Sequence, residues 1–177
     1  MIIYLHGYGS SGNGPKTDLL VQRFGRENVA APDLPVNPNQ VVAIVNKIVH
    51  ETKTFPLIFV GSSLGGFWAN YFAQLWDAPC IIVNPAILPS EQLLRHGVSE
   101  KVADLYKPYE AKLYGDSLNN NLINLFAAKD DEIASYENTL KTFPNAKFTE
   151  ITDTGGHRYL SNWNAVMDRI EELGQTT

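Results

Sequence analysis

Apolar residues fall into two alternating patterns along the chain. Short continuous runs rich in β-branched residues occupy residues 1–5, 57–61, 79–83, 122–128 and 146–151, with a weaker one at 29–32. Runs of this length, bounded by Gly, Pro, Asn and Asp, read as buried strands. Between them apolar residues recur at spacings of three and four, as in an amphipathic helix. Leu19, Leu20 and Phe24 form one such stripe, and Val41, Ile44, Val45, Ile48 and Val49 a second. Leu64, Phe67, Trp68, Tyr71, Phe72 and Leu75 form a third; a helix over 136–143 and one marked by Trp163, Val166, Met167, Ile170 and Leu173 complete the series. Pro15 suits a first helical turn, and Asn37-Pro38 supplies an N-cap followed by proline.

Strict alternation of strand and helix predicts an α/β fold: a six-stranded parallel sheet with helices on both faces and strand order 2-1-3-4-5-6. Right-handed crossovers then bring the loops carrying Tyr8, Ser63, Asn84, Asp131 and His157 to one edge of the sheet. The pattern loosens over residues 86–121, where 90–96 and 99–106 are expected as short helices. A connection of this length predicts a lid-like insertion after the fourth strand. With no internal repeat or linker visible, residues 1–177 are expected to form one domain.

Composition narrows the classes of function. The chain is 44% hydrophobic and 19% charged, with a net charge of −5 and no Lys/Arg cluster, so nucleic acid and anionic membranes are not expected partners. Its one cysteine, Cys80, lies in an apolar run, which excludes an intrachain disulfide and leaves no Cys-based metal site. No basic segment precedes the first apolar run and no run reaches membrane-spanning length, so a soluble, cytoplasmic protein is expected.

The chemistry centres on Gly61-Ser62-Ser63-Leu64-Gly65-Gly66, a G-x-S-x-G motif between a strand and a helix. That is the setting of the nucleophile elbow of an α/β-hydrolase. A serine on so tight a turn holds an unfavourable backbone angle, and the flanking glycines remove Cβ atoms that would collide with neighbouring backbone. Ser63 is therefore the expected nucleophile. Of the four histidines, His157 lies in a glycine turn after the last strand, where the order Ser, acid, His requires the base. His50 lies in the polar part of a helix, His96 in the insertion and His6 at the end of the first strand. Asp130 and Asp131 compete for the acid; Asp131, followed by Glu132-Ile133, is the expected one, with Asp130 an exposed turn residue. The backbone N–H groups of Tyr8 and Leu64 are expected to hold an oxyanion. Leu93, Leu94, Tyr106 and Tyr109 of the insertion are candidates for a substrate-binding wall. The alternative is that they pack its helices onto the domain.

A second constellation points elsewhere. Gly7, Gly9 and Gly12 fit G-x-G-x-x-G after a strand, with Asp33 some twenty residues on, which is a dinucleotide fingerprint on paper. The fingerprint needs its helix to open within the glycines, whereas Asn13-Gly14-Pro15 delays it. A wide loop that makes room for a substrate carbonyl accounts better for these glycines. A hydrolase-shaped binding protein without turnover is the other alternative, and a complete Ser, Asp and His set argues against it.

Four stretches carry a resemblance: Ile3-Tyr4-Leu5-His6-Gly7-Tyr8-Gly9-Ser10-Ser11, Val60-Gly61-Ser62-Ser63-Leu64-Gly65-Gly66-Phe67, Val83-Asn84-Pro85-Ala86 and Gly155-Gly156-His157-Arg158. In this order they resemble the YqiA-type family of small bacterial α/β-hydrolase esterases, over nearly the whole chain. The resemblance implies hydrolysis of small-molecule carboxylic esters or thioesters, no cofactor, no metal and a cytoplasmic setting, with nucleophile, acid and base carried over to Ser63, Asp131 and His157.

Overall fold

The computed structural model describes residues 1–115 and 118–175. Its strands are β1 (Ile2–Leu5), β2 (Val29–Ala30), β3 (Ile58–Ser62), β4 (Cys80–Val83), β5 (Ile123–Ala128) and β6 (Phe148–Thr152). They form one sheet in the order β2-β1-β3-β4-β5-β6, and every neighbouring pair is parallel. The principal connections carry α1 (Pro15–Phe24), α2 (Pro38–Glu51), α3 (Leu64–Trp76) and, after β5, α7 (Tyr136–Thr142). The insertion between β4 and β5 carries α4 (Pro89–Arg95), α5 (Glu100–Ala103) and α6 (Lys107–Leu113), and α8 (Trp163–Gln175) follows β6.

The side-chain period of two divides the core. Ile3, Leu5, Phe59 and Ile82 face one way and meet Val41, Val45, Phe67 and Phe72 from α2 and α3. Ile2, Tyr4, Val60, Ile81 and Phe126 face the other way and meet Leu20 of α1 and Trp163, Val166 and Ile170 of α8. Strands β1, β3, β4 and β5 are buried along their whole length, so continuous apolar runs were needed to build them. Edge strand β6 is only partly buried. Asn37 caps α2 by accepting a hydrogen bond from the Asn39 amide at 3.0 Å.

The insertion differs from its expected form. Residues 116–117 of the 86–121 segment lie outside the described residues. Beyond the two short helices expected, a single turn of 3₁₀ helix at Asp104–Tyr106 leads into α6. Glu110 of α6 is buried; its carboxylate accepts from the Ser90 amide at 2.6 Å and the Ser90 hydroxyl at 2.9 Å, which ties α6 to α4. Tyr106 is fully buried and donates its hydroxyl to the Val36 carbonyl at 2.8 Å. The Tyr106 and Tyr109 rings lie 5.6 and 5.4 Å from that of Trp68 on α3. These aromatics fasten the insertion onto the sheet's covering layer. Among the described residues, no helix is long and apolar enough to cross a membrane.

Candidate active site

Strand β3 delivers Ser63 to a turn with φ 56° and ψ −126°, outside the ordinary regions for a residue bearing a Cβ. Such a conformation costs about 1–3 kcal/mol and persists only where the surroundings impose it. Here the Ser63 amide donates to Val83 O at 3.0 Å, and its carbonyl accepts from Gly66 at 2.8 Å and Ala86 at 3.0 Å. A Cβ on Gly65 would collide with the Leu5 carbonyl, and one on Gly61 with the Gly65 carbonyl, so α3 crosses the sheet this closely only with glycine at both places.

Asp131 and His157 meet across the loops that follow β5 and β6. Both Asp131 carboxylate oxygens face His157 Nδ1, at 2.8 and 3.0 Å. A carboxylate accepts, so Nδ1 carries the proton and Nε2 is left as the ring's acceptor. The Asp131 side chain is 1% exposed and that of His157 15%. Asp131 Oδ1 also accepts from the amides of Ile133 and Ala134 at 2.8 and 2.9 Å, which fixes the carboxylate's orientation. Ser63 and His157 line two common cavities, one of about 420 Å³ and a small one of about 30 Å³. Tyr8 borders both, and Leu64 borders the smaller. Among the described residues, neither the Tyr8 nor the Leu64 amide donates to a protein acceptor, which leaves both N–H groups free for an oxyanion.

The other residues singled out from the sequence are placed as follows. Asp130 is more than a turn residue: its carboxylate accepts from Gly156 N at 2.7 Å and Gly155 N at 3.2 Å, which anchors the turn that presents His157. Leu93 lines the small cavity beside Ser63. Leu94 is 44% exposed and lines neither shared cavity. Tyr106 and Tyr109 pack against α3, as described above, and border neither cavity. The larger cavity therefore opens on the glycine-loop side of Ser63, away from the insertion, because the insertion's aromatics are spent on packing. His6 is buried; its Nδ1 donates to Gly7 O at 2.8 Å and its Nε2 accepts from Leu34 N at 2.9 Å, so it braces the loop after β1 and acts as no base. His50 lies on α2, bonded to the Asn46 carbonyl. The His96 ring lies 5.9 Å from that of Tyr8.

Two features the sequence reading missed hold the site together. Asn84, buried after β4 at φ 44°, donates from Nδ2 to the carbonyls of Gly156 at 3.0 Å and His157 at 3.3 Å, and accepts from Ala128 N at 2.9 Å. It bonds the loop after β4 to the end of β5 and to the loop after β6. Its position directly after a strand was the available signal, and an uncharged side chain gave no further one. Lys16 reaches in from α1, with Nζ 2.9 Å from Ser62 Oγ and 4.6 Å from the centroid of the Trp163 ring. Burial, with a smaller contribution from nearby Arg158, pulls its pKa down to about 8.

The dinucleotide fingerprint meets specific obstacles. A Cβ on Gly12 would collide with the Ala31 carbonyl, so this glycine is spent on packing beside β2. Asp33 is engaged by the Gly12 amide at 2.6 Å rather than held free for a ribose. Among the described residues, no group of three or more His, Cys, Asp or Glu side chains is arranged to hold a metal ion.

The sheet and its covering helices have counterparts among known proteins. A monoacylglycerol lipase from Paleococcus ferrophilus superposes with a TM-score of 0.72 at 15% identity, over 99% of this chain and 94% of that one. Alpha/beta hydrolase domain-containing protein 10 from mouse gives 0.62 at 16%, over 97% and 89%. At such identities the likeness concerns the fold, which is that of the α/β-hydrolases. Curated relatives are nearer in sequence. A UPF0227 protein of Pectobacterium atrosepticum is 31% identical over 98 residues, which is 52% of this chain and 54% of that protein. Another, from Pasteurella multocida, is 29% identical over 140 residues, covering 75% and 76%. The first of these matches thus spans about half the length of the relative. The sequence profile of the same family, described as uncharacterised, matches residues 1–174. By that match, and in keeping with its YqiA-type motifs, the chain belongs to the family UPF0227.

Proposed function

We propose that this protein is a serine hydrolase that cleaves carboxylic esters or thioesters of small or medium acyl groups through an acyl-enzyme on Ser63. The observation that carries the reading is His157, held by the sheltered Asp131 carboxylate, lining the same cavities as a serine at a strained elbow. The Asp131 carboxylate fixes His157 with its proton on Nδ1, so Nε2 is the atom that takes the Ser63 proton as Oγ attacks the acyl carbonyl. The carbonyl oxygen gains negative charge and is met by the Tyr8 and Leu64 amides. Protonated His157, stabilised by Asp131, returns the proton to the departing alcohol or thiol. Water, activated by the same Nε2, then attacks the acyl-enzyme and frees the acid and Ser63.

Hydrolysis of a series of p-nitrophenyl and thioester substrates tests the reading. Wild-type protein is expected to turn over at least one member, and Ser63→Ala to lower that rate by about three to six orders of magnitude. A variant that keeps a tenth of the wild-type rate would contradict the assignment. A folded wild type inert toward every member would favour a binding protein without turnover.

A further inference from the structure

The larger cavity beside Ser63 is electrostatically one-sided. Lys16 and Arg158 both line it, together with Ser10, Ser11 and the Ser62 hydroxyl, and no Asp or Glu among the described residues does. Some other cations of the molecule find carboxylates, as Arg23 does with Asp168 and Glu171, Lys129 with Asp153 and Arg169 with Glu172, while exposed ones such as Lys53 and Lys141 are left to solvent. Among the described residues, no carboxylate lies within ion-pair distance of Lys16 or Arg158.

Lys16 is sheltered while Arg158 is exposed at the same cavity; the Arg158 charge disfavours that of Lys16, and a sheltered cation without a partner is costly. Lys16 is held in place all the same. Its ammonium lies over the Trp163 ring and donates to Ser62, the residue before the nucleophile. Burial pulls its pKa down only to about 8, which leaves it mostly protonated at pH 7. A bound anion would relieve the repulsion and pair both charges. Arg158 directly follows His157, so an anion at this pair is next to the reacting centre.

We propose that the substrate carries an anionic group, bound between Lys16 and Arg158 in the cavity on the glycine-loop side of Ser63. The proposal rests on the serine-hydrolase reading for its use of Ser63, while the anion site itself stands on the two cations. The anion belongs either to the acyl part or to the alcohol part of the ester, and the test separates these.

Matched pairs of esters provide it. The acyl-side pair is p-nitrophenyl hemisuccinate and its methyl ester; the alcohol-side pair is 4-acetoxybenzoate and its methyl ester. In one arm the charged ester is expected to exceed its neutral partner at least tenfold in kcat/KM. Arg158→Glu and Lys16→Met should each collapse that ratio at least tenfold, and Lys47→Glu on the exposed surface of α2 should leave the ratio unchanged. A ratio near one in both arms for the wild type, or one that Arg158→Glu does not alter, overturns the proposal. Titration of succinate and inorganic phosphate, followed by NMR, reads the anion site without turnover. Binding at least tenfold weaker in Arg158→Glu is expected, and equal or undetectable binding in both proteins overturns the site. Anion binding without hydrolysis of any ester would instead overturn the serine-hydrolase reading and leave the site standing.

Discussion

Replacing Asp131 by Asn changes one atom and separates orientation of the base from all else. In the native structure one carboxylate oxygen accepts from the Ile133 and Ala134 amides while both face His157 Nδ1. Asparagine can leave its carbonyl oxygen toward the two amides, so the loop should keep its shape and lose about 1 kcal/mol of stability. Its NH₂ group then points at Nδ1 and can only donate. The ring must shed its Nδ1 proton and carry it on Nε2, and Ser63 loses its base. Loss of the tautomer and of the charge that stabilises the imidazolium is worth about 4–5.5 kcal/mol, or 10³–10⁴ in kcat. Asp130→Asn makes the same chemical change one residue earlier, where the carboxylate accepts from Gly155 and Gly156. It weakens one loop hydrogen bond, about 1–1.5 kcal/mol, and should lower kcat about tenfold. Steady-state hydrolysis of a p-nitrophenyl ester, with circular dichroism and urea titration on the same samples, reads both effects. An Asp131→Asn enzyme within tenfold of wild type, or one more active than Asp130→Asn, would refute the assignment of the acid.

Asn84→Ala removes three hydrogen bonds from a buried side chain and should cost about 3–5 kcal/mol of stability by urea titration, with kcat reduced about a hundredfold as the His157 loop shifts; unchanged kcat would show that the loop needs no such brace. Lys16→Met should stabilise the fold in a defined pH window. The native pKa, about 8, lies below the ordinary lysine value, so the unfolded chain binds this proton more tightly and the penalty is full below pH 8. It fades as pH rises toward 10.5. The variant should gain on the order of 1–3 kcal/mol at pH 7 and little at pH 10.5, and a gain that grows with pH would contradict burial as the cause. Leu93→Ala should alter the ranking of short against medium acyl chains, because Leu93 lines the small cavity at Ser63, whereas Leu94→Ala should not; equal chain-length profiles for both variants would place the acyl group elsewhere.

Much of the fold was legible because its signals are local. Continuous apolar runs marked the central strands, i, i+3 and i+4 stripes marked the long helices, and glycine spacing marked the elbow at Ser63. Chain order pointed to His157, and Asp131 was preferred to Asp130 only by the residues after it; the structure brings Asp131 against His157, and His157 into common cavities with Ser63. Helix α6 escaped because Pro108 and the loose polar pattern hid a stripe of Tyr106, Tyr109 and Leu113 at helical spacing. Asn84 and Asp130 act through backbone groups of loops far away in sequence, and no one-dimensional pattern records such partners. The insertion could be read either as a substrate wall or as packing, and the larger cavity lies at the glycine loop. Its side depended on how Tyr106 and Tyr109 are used, and packing against Trp68 took them. Lys16 gave no sign either, since a lysine in the first turn of a helix reads as solvated until Trp163 and Ser62 are seen around it.

The central claim is that Ser63 is the nucleophile and that its reactivity depends on His157. Treatment of the folded protein with a small neutral fluorophosphonate, followed by peptide mass spectrometry, measures this directly. The account predicts one phosphonylated peptide with the adduct on Ser63, absent in Ser63→Ala and formed at least a hundredfold more slowly in His157→Ala. Labelling at another residue, or labelling of Ser63 at the same rate without His157, would contradict it.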